Sequence, residues 1–264
     1  MSSTLKKAIL VVSFGTSFEE TRKRTIDVIE DEIRNAYPDY AIYTAWTSKM
    51  IIKKLATEFN IKRNTVSEAM QQMYEDGIQS VVIQPTHIIP GVENDIMTAD
   101  ALEFKDKFAK ISFSTPLLAT TEDNVSTIKA IMTEHSDLDD DTALVLMGHG
   151  TSHNANNVYA AMDYMFKDLG YKNVFVGTVE GYPSLDNVLK FVKEGSFHKI
   201  RLAPLMLVAG DHALNDLCGD EDDAWKVIFT NKGFSVDCFL KGLGEYSAIR
   251  QIYMDHLKVT IEAK

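Results

Sequence analysis

The chain has 264 residues, 45% hydrophobic and 25% charged, with a formal net charge of −11. This composition is globular and long enough to bury a core without disulfides or a structural metal, and its negative charge argues against nucleic acid or anionic membrane surfaces as partners. No run of about 18 apolar residues marks a membrane span; the first residues lack an export signal, and Cys218 and Cys238, read as free thiols, point to the cytoplasm.

The elements read in order as alternating strands and helices. Ala8–Ser13 is a buried strand running into Phe14-Gly15-Thr16-Ser17. A helix is expected from about Glu19 to Tyr37, with Ile26, Ile29 and Ile33 on one face and Pro38 past its end. Tyr40–Ala45 is the second strand. Helices follow over Lys49–Phe59 and about Thr65–Glu75. Ser80–Gln84 is the third strand, leading through Pro85–Gly91 into a helix over about Asn94–Phe108. Ile111–Leu118 is the fourth.

The acidic stretch Asp137–Asp141 separates this from a second series, which sets expected lobes at 1–136 and 137–264. The second series has strands over Ala143–Met147, Asn173–Val179, Lys199–Leu207 and Ser235–Leu240. Helices are expected over about Asn154–Leu169, with Thr151 or Ser152 as its cap, over Leu185–Glu194, after His212, and over Tyr246–Ile261.

The second half repeats the first weakly. Ser13–Ser17 aligns with Gly148–Ser152 at an offset of 135 (15 to 150), and Pro85–Gly91 with Pro204–Gly210 at 119 (85 to 204). The same 119 matches Glu93 to His212. Two similar α/β lobes, each a parallel sheet flanked by helices, with a cleft between them, are therefore expected.

In parallel sheets, ligands bind at the carboxyl ends of strands. Three such ends in the second series carry His149, Glu180 and His212. Two imidazoles and a carboxylate suit a divalent first-row metal and leave positions open for exchange. The plainer reading of His149 is a loop histidine that caps or hydrogen-bonds, and His149 with His153, four apart, is an alternative pair. Glu93 is either a general base, a transient ligand or a helix N-terminal charge. His87 suits a structural role equally well. His135, His198 and His256 read as surface or packing residues. There is no P-loop, G-x-G-x-x-G, G-x-S-x-G or H-E-x-x-H, so no nucleotide is expected. The run Asp220–Asp223 reads as solvated.

The segments VVSFGTS (Val11–Ser17), MGHGTSH (Met147–His153), VEGYP (Val179–Pro183) and PLMLVAGDHALND (Pro204–Asp216) resemble the anaerobic cobalt chelatases of cobalamin biosynthesis, the sirohydrochlorin cobaltochelatases of the class II chelatase family. TSKMII (Thr47–Ile52) and GLGE (Gly242–Glu245) agree. The resemblance implies two chelatase-type lobes holding a tetrapyrrole between them, with the last helix returning to the first lobe. It implies metal ligands at His149, Glu180 and His212, an acidic partner at Glu93, and ATP-independent insertion of Co²⁺ with His149 or Glu93 taking the pyrrole protons. Ser13, Thr16, Lys49 and Thr151 are the candidates for holding the substrate, whose carboxylates need cationic or N–H contacts; for Lys49, in a cluster with Lys53 and Lys54, the plainer reading is a solvated helix face. The ligand set also admits Fe²⁺, Ni²⁺ or Zn²⁺. The competing readings are an iron or nickel chelatase and a non-catalytic metal- or haem-binding protein. Oligomeric state stays open.

Overall fold

The structure is a computed structural model and describes residues 6–263. It divides into two compact units. Unit one holds the chain up to Ala119 and again from Ile249; unit two is Thr120–Ala248. The sequence reading set this junction at 136/137.

Unit one is built on four parallel strands: β1 (Lys7–Ser13), β2 (Ala41–Trp46), β3 (Ser80–Pro85) and β4 (Lys110–Phe113), in the order β2-β1-β3-β4. The last six residues of β1 are buried, as expected for a central strand covered on both faces. Each large side chain fully buried there contributes about 1.5–3 kcal/mol. Helices α1 (Glu19–Arg24), α2 (Ile26–Ala36), α3 (Lys49–Phe59), α4 (Val66–Glu75) and α5 (Val92–Leu102) join these strands. Met70 and Met73 of α4 and Met97 and Ala101 of α5 close the core over Leu10, Val12, Val81 and Ile83.

Unit two opens with α6 (Thr121–Glu134), started by a Thr120–Asp123 capping box. Its sheet comprises β5 (Thr142–Gly148), β6 (Val174–Thr178), β7 (Lys199–Pro204) and β8 (Ser235–Cys238), all parallel, in the order β6-β5-β7-β8. Helices α7 (Asn157–Asp168), α8 (Leu185–Glu194) and α9 (Trp225–Asn231) flank it. The last helix, α10 (Ser247–Glu262), belongs to unit one from Ile249 onward. Side-chain contacts fasten it there. The Tyr253 hydroxyl donates to the Thr86 carbonyl at 2.9 Å, and the Arg250 guanidinium pairs with Glu32 at 2.8 Å.

Several expectations are corrected. The single helix over 19–37 is two, broken at Thr25, whose hydroxyl donates to the Thr21 carbonyl. Helix α5 starts two residues early and stops at Leu102, and β4 ends at Phe113. The segment after His212 is a five-residue π-helical turn, Ala213–Leu217, with α9 beginning only at Trp225. Helix α6 was not anticipated. The cap after β5 is His153, whose Nδ1 accepts from the Ala155 N–H at 3.1 Å. Cys218 and Cys238 are not free: they form a disulfide, with Cα atoms 6.2 Å apart. The fold brings the end of the π-helical turn beside the end of β8, a proximity that their 20-residue separation does not announce.

The two units repeat one another down to individual hydrogen bonds. Thr86 N–H donates to the Val12 carbonyl as Leu205 N–H does to that of Met147, both at 2.8 Å. Thr47 N–H to Ser13 and Val179 N–H to Gly148 are both 3.0 Å. Ser48 N–H to Phe14 (3.2 Å) matches Glu180 N–H to His149 (2.9 Å). Phe14 thus stands where His149 does, and Ser48 where Glu180 does.

Candidate functional site

His149 follows the last residue of β5, the central strand of its sheet, and the loop around it is shaped by Gly150. Gly150 has φ +85°, and a Cβ there would lie 2.6 Å from the Gly181 nitrogen. Only glycine satisfies both the left-handed backbone and the close approach. The approach seats the Glu180 segment against the His149 loop, where the Glu180 N–H donates to the His149 carbonyl. His212 enters from the loop after β7, at the N-terminal edge of the π-helical turn.

These three side chains gather. The His149 and His212 rings stand edge to face, centroids 4.6 Å apart. Glu180 Oε2 lies 3.9 Å from His149 Nδ1. The His149 Nδ1–H donates to the Gly150 carbonyl at 2.8 Å. A carbonyl can only accept, so the proton sits on Nδ1 and the ring's lone pair on Nε2. His212 Nδ1–H donates to Asp216 Oδ2 at 2.7 Å, with the same result. Both imidazoles therefore carry the tautomer that ligates through Nε2, each oriented by an outer partner. The Glu180 side chain is 60% exposed and that of His212 32%. Among the described residues, no group of three or more His, Cys, Asp and Glu is drawn together tightly enough to hold an ion as the side chains stand.

Unit one places the other candidates. Glu93 is in the first turn of α5, with Asp95, and its Oε2 is buried with no hydrogen-bond partner. Ser13 is buried, and its hydroxyl oxygen accepts from Thr86 at 2.8 Å. Thr16 is buried, and its hydroxyl oxygen accepts from the Phe18 N–H at 3.2 Å. Lys49 is exposed at the start of α3. In unit two, the Thr151 N–H is taken by Asn156 Oδ1 at 3.0 Å and its hydroxyl by the His153 N–H at 3.1 Å. His153 makes the capping bond already described.

Two contributors escaped the sequence reading. Asp216 orients His212, and its i, i+4 spacing from His212 is a usable signal. Asn156 ties the His149 loop to the Glu180 loop: it accepts from Thr151 and donates to the Tyr182 carbonyl at 2.7 Å. Nothing in the local pattern marks it. Two surface hollows, of about 420 and 450 Å³, carry none of these residues; Glu68, Gln72 and Phe104 help line one, Tyr164, Phe175 and Phe191 the other. Among the described residues, no helix is long and apolar enough to cross a membrane.

The chain is similar to known chelatases along nearly its whole length. Residues 7–262 match the model of the cobalt chelatase (CbiK) family. The sirohydrochlorin cobaltochelatase of Salmonella typhimurium (strain LT2) is 37% identical over 253 residues, covering 96% of each chain. The sirohydrochlorin cobaltochelatase CbiKC of Nitratidesulfovibrio vulgaris (strain Hildenborough) is 30% identical over 261 residues, 98% of this chain and 92% of that protein. The sirohydrochlorin chelatase SirB from Bacillus subtilis subspecies spizizenii, solved in complex with cobalt, has the same fold, with a TM-score of 0.65 at 12% identity over 98% of this chain and 96% of its own. A chain matched along nearly its whole length, with two similar parallel sheets and a histidine–glutamate cluster at the strand ends of one of them, belongs to the cobalt chelatase (CbiK) family.

Proposed function

We propose that this chain inserts Co²⁺ into sirohydrochlorin without ATP, as a step of anaerobic cobalamin formation. The observation that carries the reading is the paired imidazoles of His149 and His212, both presenting Nε2, with Glu180 beside them. Family membership supplies the metal and the substrate class.

The chemistry asks for three things. Waters must leave the Co²⁺ ion, two pyrrole N–H protons must be removed, and the ion must pass to the macrocycle. His149 and His212 replace waters through Nε2, and Glu180 swings inward to add an oxygen. Neutral nitrogen and carboxylate donors from three loops hold the ion firmly enough to strip water and loosely enough to release it. Once the ion has moved, His149 Nε2 is free to accept a pyrrole proton. Glu93 is the second base. Lys49 is assigned to a substrate carboxylate, as are Ser13, Thr16 and Thr151, three residues whose hydroxyl oxygens already accept bonds within the protein. Fe²⁺, Ni²⁺ and Zn²⁺ compete for the same donors, so ion supply shapes the product. The second product is two protons.

The test is an anaerobic absorbance assay with enzyme well below sirohydrochlorin and Co²⁺. Catalytic loss of the free macrocycle spectrum, absent in the His149→Ala, His212→Ala variant, is expected. Turnover surviving in that variant removes the assignment of these residues. A single shift proportional to protein, with no turnover, replaces the enzyme by a binding protein. For Lys49, Lys49→Ala raises the KM for sirohydrochlorin, and an unchanged KM removes it from substrate contact. We place the reaction in the cytoplasm. Since that compartment reduces thiols, the Cys218–Cys238 bond seen in the structure should be open in the cell, so alkylation at lysis should label both cysteines; full protection of both argues for an oxidising compartment.

A further inference from the structure

The loop after β3 carries more polar groups than its own bonds account for. The carbonyl of His87 accepts from the Leu117 N–H at 3.0 Å and from the Tyr253 hydroxyl at 3.3 Å, so the backbone there is held. The ring is 7% exposed. Its Nε2 is 3.5 Å from the Thr47 hydroxyl, at the outer limit of a hydrogen bond. Its Nδ1 is buried and has no hydrogen-bond partner. Six and seven residues on, in the first turn of α5, Glu93 Oε2 and Asn94 Oδ1 are likewise buried and unpartnered. Asn94 is close enough to His87 to raise its affinity for a proton, against a burial that lowers it to about 4, yet the pair stops short of hydrogen-bond geometry. Three orphaned polar atoms in one eight-residue stretch are costly, and groups left so call for an explanation in function. By the internal repeat, unit two has Met206 at the position of His87 and His212 at that of Glu93. The orphaned cluster is therefore particular to unit one.

We propose that His87 is a positioning residue for Glu93, acting through Asn94 on the first turn of α5 so that the Glu93 carboxylate meets the pyrrole N–H. This rests on the cobalt-insertion reading above. When His87 Nδ1 and Asn94 Oδ1 close into a hydrogen bond, two orphans are satisfied and the turn carrying Glu93 is fixed. The groups facing the ring are Thr47 from the loop after β2, Asn94 from α5 and, at the His87 backbone, Tyr253 from α10. Of these only Tyr253 titrates, and burial holds its hydroxyl far above neutrality. The ring is neutral across the working range. Any pH dependence that changes with His87 therefore comes from another group.

The test compares His87→Phe, His87→Gln, Asn94→Leu and Glu93→Gln in the full chain with sirohydrochlorin and Co²⁺. His87→Phe should lower kcat about tenfold, leave both KM values within twofold, and move the acid limb of kcat against pH by at least half a unit. His87→Gln, which keeps a polar partner for Asn94, should restore most of kcat. Adding His87→Phe to Glu93→Gln should lower kcat no further. A wild-type kcat and pH profile in His87→Phe overturns the inference, as does a loss that multiplies with Glu93→Gln. Should His87→Phe not fold, Asn94→Leu decides: a tenfold loss supports the inference and a wild-type kcat overturns it. Glu93→Gln at wild-type kcat overturns it while leaving cobalt insertion standing; absence of turnover in the unaltered chain is instead the failure of the function itself.

Discussion

The two units share a backbone plan and differ in what they hang on it. The loops after β1 and β5 make corresponding hydrogen bonds and each turns on a glycine of positive φ, Gly15 at +99° and Gly150 at +85°. Unit one fills the positions of His149 and Glu180 with Phe14 and Ser48. The Ser48 hydroxyl caps α3 by accepting from the Ile51 N–H. In unit two the same positions carry His149 and Glu180, the residues proposed to hold the metal. The scaffold fixes where strand-end side chains gather; the residue types decide which copy can hold an ion. By the proposal above, unit one is left to handle protons and the macrocycle, with Glu93 where His212 would be.

The sharpest break of this comparison sets equivalent residues against each other. His149→Ala should lower kcat/KM for Co²⁺ by on the order of 10³, about 4 kcal/mol of transition-state stabilisation, whereas Phe14→Ala should lower it less than tenfold. Equal losses in steady-state assays would dissolve the distinction between the units.

Next in size is the cross-link. Among the described residues, only unit two has a disulfide, and closing its 20-residue separation stabilises that unit by about 3 kcal/mol. Reduction, or Cys218→Ser, should lower protection from hydrogen exchange in β5–β8 and leave β1–β3 unchanged. A uniform loss would mean the units do not open independently.

The outer partner of His212 comes third. Asp216→Ala should weaken Co²⁺ binding roughly 10- to 100-fold, read by calorimetric titration, with the fold intact by circular dichroism. Unchanged affinity would leave His212 oriented by packing alone.

The smallest effect sharpens a likeness. Each unit buries one neutral histidine, His87 in unit one and His135 in unit two, and desolvation pushes both to about 4 from the ordinary value near 6.5. Both folded values are depressed, so below about 6.5 the unfolded chain binds the extra proton. Stability is complete above that pH and falls as pH drops toward 4. At pH 5.5 the loss is about 1 kcal/mol per histidine. Unfolding free energies from denaturant titration at pH 7 and 5.5 should differ by that much less for His135→Phe than for the unaltered chain.

Much of this was legible in the sequence, for reasons tied to particular residues. Buried parallel strands read as continuous apolar runs, so Ala8–Ser13 and Ala143–Met147 announced themselves. The trio His149, Glu180 and His212 was found because each lies in the loop after such a run, and the structure gathers it. What escaped depended on tertiary contacts or weak periodicity. Helix α6 has a diffuse apolar face, with Asn124 and Thr127 among its buried residues. The Cys218–Cys238 bond, the Asn156 tie and the Thr25 break each depend on contacts that no local pattern encodes. The loop histidine His87 offered no signal until its burial and orphaned Nδ1 were visible.

The return of α10 to unit one has a consequence for the order of events at the ribosome. Unit two is one uninterrupted stretch, whereas unit one is interrupted by all of it. The Tyr253–Thr86 bond spans 167 residues of chain. During synthesis the second sheet is therefore complete while the first still lacks the helix that covers it. The nascent first half waits with part of its apolar surface uncovered, and it is during that interval, rather than in the finished protein, that this chain has most to gain from a chaperone.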